Sequence, residues 1–269
     1  MQRIPTSPGN TPAAMPEMLD YFNMNVFSKA VVALDHETRV NASLPSSPMP
    51  IVAPSTVTVS ILERYIPTAS AVEYQHLFRP EGPSALVDRL VEVSPKGGCL
   101  IFIYPTLQGA TTFQNKYLGP LLDPLLRTLV VYHNMSADLG LNVGRLEALE
   151  HMLSFENMAT AIRRLLRALS DSTQIPGLSR AKFQLVVSDR QMVHLDRKAW
   201  QDWWLYQENG RIRRAVLDYW KRGHRIPMGL TEGTIAREIL DGMKERTYDR
   251  DQEPQDGVEV GVFCIRKTA

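Results

Sequence analysis

Two cysteines among 269 residues, Cys99 and Cys264, are too few for a disulfide framework in a chain of this length. Both sit in apolar, strand-like runs, so the expectation is a pair of buried free thiols acting as small hydrophobes. Charge of one sign is equally scarce: 30 basic against 29 acidic side chains leave a formal net charge of +1. Such a chain has no global field to draw in nucleic acid or acidic lipid, and either role would fall to a local patch. No apolar run approaches the roughly 20 residues that a bilayer-spanning helix needs. No apolar stretch follows Met1-Gln2-Arg3-Ile4-Pro5 either, so no secretory signal is read there. The expected setting is the cytoplasm, with the nucleus as the alternative and no membrane partner.

Several chemical signatures are missing as well. The histidines (His36, His76, His133, His151, His194, His224) include no pair at the spacing that sets two imidazoles on one helical face, and no cysteine lies near them, which argues against zinc. Neither the nucleophile elbow of an α/β-hydrolase nor a phosphate-binding P-loop occurs.

What is present reads as alternating strands and helices. Residues 1–17, rich in Pro, Ser, Thr and Gly, are expected to be a disordered tail, because they bury too little to offset the ordering cost of about 1–2 kcal/mol per residue. Residues 18–34 fit a short helix, although 30–34 could equally be a strand, and Pro45 to Pro54 mark a break. The β-branched run Thr56–Ile61 reads as a strand. Ser84 is placed to cap a short helix with the stripe Leu86, Val87, Leu90, Val91. Pro95-Lys96-Gly97-Gly98 then makes a turn into Cys99–Tyr104, an apolar run of the kind a central strand covered on both faces should have. Helical patterns follow from Thr112 to Leu169, with breaks expected at Gly119-Pro120 and Asp123-Pro124, and the amphipathic Met158–Leu169 is stopped by Pro176-Gly177. Phe183–Val187 and Val258–Ile265 read as strands, with helices at Trp200–Trp220 and Thr231–Lys244 between them. The alternation points to one α/β domain over 18–269, with a largely helical insertion at about 188–257.

Leu86–Val93, Pro95–Gly98 and Cys99–Tyr104 together resemble the helix, loop and fifth strand of class I (Rossmann-like) S-adenosylmethionine-dependent methyltransferases. There a leucine-rich helix is followed by a Lys-Pro-Gly-Gly turn and a Leu-Leu-Ile strand; here Pro95 and Lys96 stand in the inverse order. That family commonly continues with helical insertions and an antiparallel strand pair at the sheet edge, to which Phe183–Val187 and Val258–Ile265 are similar. The resemblance implies a partial or degenerate Rossmann-like sheet, S-adenosylmethionine as cofactor, and methyl transfer to a small molecule. On it, Gly97, Gly98 and Thr106 are the cofactor-binding candidates. The departure is the family's glycine-rich turn, which has no counterpart before Thr56. The alternatives are therefore a non-catalytic methyltransferase-like interaction or scaffold protein and a nucleic-acid-binding module.

In open α/β sheets ligands sit outside the carboxyl ends of the strands. Tyr104 at such an end could orient a substrate, with Thr106, Gln108, Gly109, Thr111, Thr112 and Gln114 beside it; the competing reading is a helix cap at Thr111 or Thr112. His133, after Leu129–Tyr132, is the other catalytic candidate, a base if that run ends a strand. His194 with Asp196 is a further possible pair, whereas Glu147, Glu150 and Glu156 read as decoration of helix faces. In 197–225 arginines alternate with Trp200, Trp203, Trp204, Tyr206 and Trp220, a composition able to hold nucleic acid. Packing of one helix face on the sheet accounts for it more simply, and a protein or small-molecule partner is preferred to nucleic acid. A homo-oligomer stays open.

Overall fold

The computed structural model describes residues 51–172, 178, 181–224, 229–248 and 253–269, all within the unit Leu44–Ala269. The expected tail at 1–17, the element at 18–34, most of the break before Pro54, and Pro176-Gly177 lie outside the described residues.

Strand β1 (Val59–Glu63) is followed by helices α1 (Ala71–Leu77) and α2 (Ala85–Glu92), then strand β2 (Lys96–Pro105). β1 starts later than its β-branched run suggests, because Val57 makes only an isolated bridge to Val93. Ser84 caps α2 as expected, its Oγ accepting from Val87 N at 3.3 Å. Leu86, Val87, Leu90 and Val91 are fully buried, each such side chain contributing about 1.5–3 kcal/mol. Gly97 turns the chain into β2 at φ +87°, a conformation side chains resist.

After β2 come α3 (Leu107–Thr112), a π-helical turn (Phe113–Leu118), α4 (Gly119–Tyr132), α5 (Asp138–Gly144), a 3-10 turn (Glu147–His151) and α6 (Phe155–Asp171). Strand β3 (Lys182–Val193), helices α7 (Arg197–Lys221) and α8 (Glu232–Glu245), and strand β4 (Val258–Thr268) complete the described order. The expected breaks near Pro120 and Pro124 do not occur: α4 runs through both. Pro120 stands where the π-turn passes directly into α4, and its fixed φ near −65° suits a helical residue there. Leu129–Tyr132, weighed above as a strand end, is the last turn of this helix.

The sheet order is β1-β2-β4-β3. β1 runs parallel to β2, whereas β4 is antiparallel to both β2 and β3. This is a mixed α/β fold. On one face Leu100, Phe102, Tyr104, Phe263 and Ile265 join α2 and α6 in a core that includes Ile162, Leu165, Leu166 and Leu169. On the other, α4, α7 and α8 build a second core that reaches Val258, Val260, Ile103 and Val262. β2 is central, but the expectation that both its faces are covered is corrected. Cys99 and Ile101 are half-buried, and the neighbouring Val59 and Ile61 are 54% and 59% exposed. The two cysteines are free, on that same half-open face, and not the buried thiols expected.

Lys267 is buried at 1% exposure and donates to the carbonyls of Leu90 and Val91 at the end of α2, at 3.3 and 3.1 Å. Burial pulls its pKa down to about 8. The folded chain therefore releases this proton near pH 8, while the unfolded chain holds it to an ordinary lysine value of about 10.4. Stability should rise across that window, since the unfolded state there binds more protons. Denaturant unfolding of the wild type should show this rise and Lys267→Met should lack it; parallel pH profiles would contradict the assignment.

Candidate functional site

The carboxyl ends of β1 and β2 carry the densest polar network among the described residues. The chain leaves β1 through Arg64, whose amide donates to Ile103 O at 2.9 Å and so fixes it beside β2. Its guanidinium donates to Ile66 O at 3.1 Å, to Glu73 Oε1 at 2.7 Å, and to Gln207 of α7. The second oxygen of Glu73 accepts from Thr68 at 2.5 Å. Gln207 donates to Pro67 O at 3.0 Å and to Glu208 Oε1 at 2.8 Å. Glu208, fully buried, also pairs with Arg211, which reaches on to Asn142 O at 3.1 Å and Val143 O at 2.8 Å at the end of α5. Burial works against the Arg64 charge, but Tyr104 and Glu73 more than offset it and raise its pKa.

Tyr104 stands beside this network at 3% exposure, its ring 5.8 Å from Tyr74 and 5.6 Å from Phe102. Its hydroxyl is enclosed without a hydrogen bond of ordinary geometry. Burial pushes it far above the usual phenol range, although nearby Arg64 opposes the rise. A phenol held neutral in this way can donate a hydrogen bond but does not act as a base. Thr106, also fully buried, caps α3: its Oγ1 accepts from Gly109 N at 3.1 Å and donates to Glu259 Oε1 at 2.6 Å. Glu259 lies 3.8 Å from Arg190, which also pairs with Glu156 at 2.7 Å and covers the Phe155 ring at 5.0 Å. The helix cap at this end is thus Thr106; Thr111 instead donates back to Leu107 O.

The structure does not bring the remaining candidates to this place. Gly97 and Gly98 lie at the amino end of β2, with the strand running from them to Tyr104, a separation of about 20 Å. His133 caps the end of α4, with Nε2 2.8 Å from Glu238 Oε2 on α8. Asp196 caps α7 by accepting from Ala199 N at 2.9 Å and makes no bond to His194. Gly97 and Gly98 therefore stand at the opposite end of β2 from Thr106. The segment after β1 (Glu63-Arg64-Tyr65-Ile66-Pro67) offers no glycine there. No group of three metal-ligating side chains gathers among the described residues. No helix of theirs is long and apolar enough to cross a membrane.

The tryptophan-rich helix divides differently from the sequence reading. Trp200, Trp204, Ile212, Val216 and Tyr219 are buried, with Glu208 in the same stripe. Trp203, Tyr206 and Trp220 are 46%, 78% and 52% exposed, and Trp203 stacks on Tyr65 at 6.1 Å. Arg211 is half-buried against Glu208, whereas Arg213 and Arg214 are exposed. Arg64, Glu73 and Glu208 were not singled out from the sequence. The available signal was a glutamate on the buried side of α7, four residues from Trp204 and from Ile212.

No protein-family model and no curated protein matches the chain.

Proposed function

We propose that this chain is a methyltransferase-like interaction protein: it retains a Rossmann-like half-sheet as scaffold and presents the outer face of α7 to a protein partner. The carrying observation is the sheet order, in which antiparallel β4 enters between β2 and β3 at one edge. That agrees with the edge pair implied by the helix, turn and strand over 86–104. The exposed Trp203, Tyr206 and Trp220 supply large, stiff side chains of the kind that anchor interfaces. Placement of the candidate cofactor residues at opposite ends of β2 supports a scaffold over a self-sufficient enzyme.

A second reading is methyl transfer to a small molecule. It is favoured by the Arg64–Glu73 pair beside Tyr104, at the strand ends where open α/β sheets hold ligands. Thermal melting separates the two. A ligand present at a hundred times its Kd stabilises the folded state by about 2.7 kcal/mol. On the scaffold reading, millimolar S-adenosylmethionine or S-adenosylhomocysteine leaves the melting temperature unchanged. A rise of several degrees, reduced by Tyr104→Phe, would replace that reading with the enzymatic one.

A further inference from the structure

We propose that a groove along the start of α4 binds a small α-amino acid with an apolar side chain. The groove measures about 420 Å³ and is lined by Gln114, Asn115, Asp123, Arg127 and the rings of Pro120 and Pro124, a volume in the range that small ligands fill. Three features distinguish it from an ordinary furrow between helices.

The first is an unpaired charge couple. Asp123 and Arg127 stand one turn apart, a spacing at which opposite charges commonly meet, yet neither has a hydrogen-bond or ion-pair partner among the described residues. The second is the close approach of backbone to the carboxylate. Glycines flank it, and a Cβ added at Gly119 or Gly144 would come within 4.0 or 3.9 Å of the Asp123 oxygens. The third is the π-helical turn Phe113–Leu118, closed by Gly119 N donating to Gln114 O, which puts Gln114 and Asn115 on the groove wall. Such turns recur at functional sites. Gln114 donates to Gly144 O at 3.3 Å, but its Oε1 is enclosed without a hydrogen-bond partner. An ammonium entering beside Asp123 is a donor that a small side-chain shift would bring to it.

The chemistry these groups recognise is zwitterionic. Asp123 takes the ammonium, Arg127 takes the carboxylate through two parallel N–H donors, and the proline rings cover an aliphatic side chain. An amine alone or an acid alone leaves one charge unmatched. The groove shares no lining residue with the network beside Tyr104 and does not depend on the function proposed above.

The test is calorimetric titration of the full chain with L-leucine, 4-methylpentanoic acid and isopentylamine. L-Leucine should bind saturably with a Kd on the order of 1 mM, as expected for so small a ligand. Each analogue, and each of the variants Asp123→Asn and Arg127→Gln, should weaken binding by about tenfold or more. Both side chains are exposed, so the variants should melt like the wild type. No saturable heat from L-leucine with folded protein overturns the proposal, as does binding that both variants leave unchanged.

Discussion

Replacing Gly109 by alanine should destabilise the protein by more than about 3 kcal/mol, the high end for overpacking. Alanine in a helix ordinarily helps, by roughly 0.5–1 kcal/mol relative to glycine. Here the sign reverses, because the added Cβ would sit 1.9 Å from Glu259 O and within 3 Å of that residue's carbonyl carbon and amide nitrogen. The obstacle is backbone, and it cannot step aside. Glu259 O accepts from Thr106 N at 3.1 Å, while β4 is paired on both edges. Gly140→Ala in α5 is the matched control. Its nearest neighbour, Leu126 Cβ at 3.8 Å, is an ordinary contact, and a gain of about 0.5–1 kcal/mol is expected. Urea unfolding of both variants checks the pair, and a loss below about 1 kcal/mol for Gly109→Ala would mean that α3 does not press on β4.

Removing the Glu208 carboxylate has the second large effect. Glu208→Ala should cost about 3–5 kcal/mol, the range for breaking a buried ion pair by deleting one partner. The glutamate is fully buried against Arg211 and Gln207, and its charge also supports Arg64. Its loss leaves the half-buried Arg211 guanidinium without a counter-ion and that of Arg64 with less support. Replacing both members, Glu208→Leu with Arg211→Met, should recover much of the loss, since two apolar side chains leave no orphan charge. A double-mutant cycle by chemical denaturation separates the pair energy from packing. If Glu208→Ala lost less than about 1 kcal/mol, the network would be a surface ornament, and the tie between β1 and α7 would lie elsewhere.

These two effects mark what the sequence could and could not show. Local pattern located α2, β2, α6, α7, α8 and β4 within a few residues, because caps such as Ser84 and stripes such as Ile162–Leu169 act within one or two turns. It misread Pro120 and Pro124, because proline's helix-breaking tendency is a local rule, and the buried stripe Leu121, Leu122, Leu126 and Leu129 holds α4 together through both. Packing of one helix face was to account for the tryptophans of 197–225, but four-residue spacing pairs Trp200 with Trp204 and leaves Trp203 outside. The residues around Tyr104 were only half legible. Position after an apolar strand indicated the carboxyl end, but the partners of Arg64 come from 9 and about 140 residues away. Such contacts depend on tertiary placement. Thr106, the cofactor-binding candidate on resemblance, caps α3 and tethers Glu259, a partner 153 residues away that no local pattern indicates.

The most direct measurement is isothermal calorimetry of the folded full chain against S-adenosylmethionine and S-adenosylhomocysteine, with Tyr104→Phe alongside. The scaffold account predicts only dilution heats from both ligands, identical for wild type and variant. Saturable micromolar binding that Tyr104→Phe weakens would contradict it and establish a cofactor site at the carboxyl ends of β1 and β2.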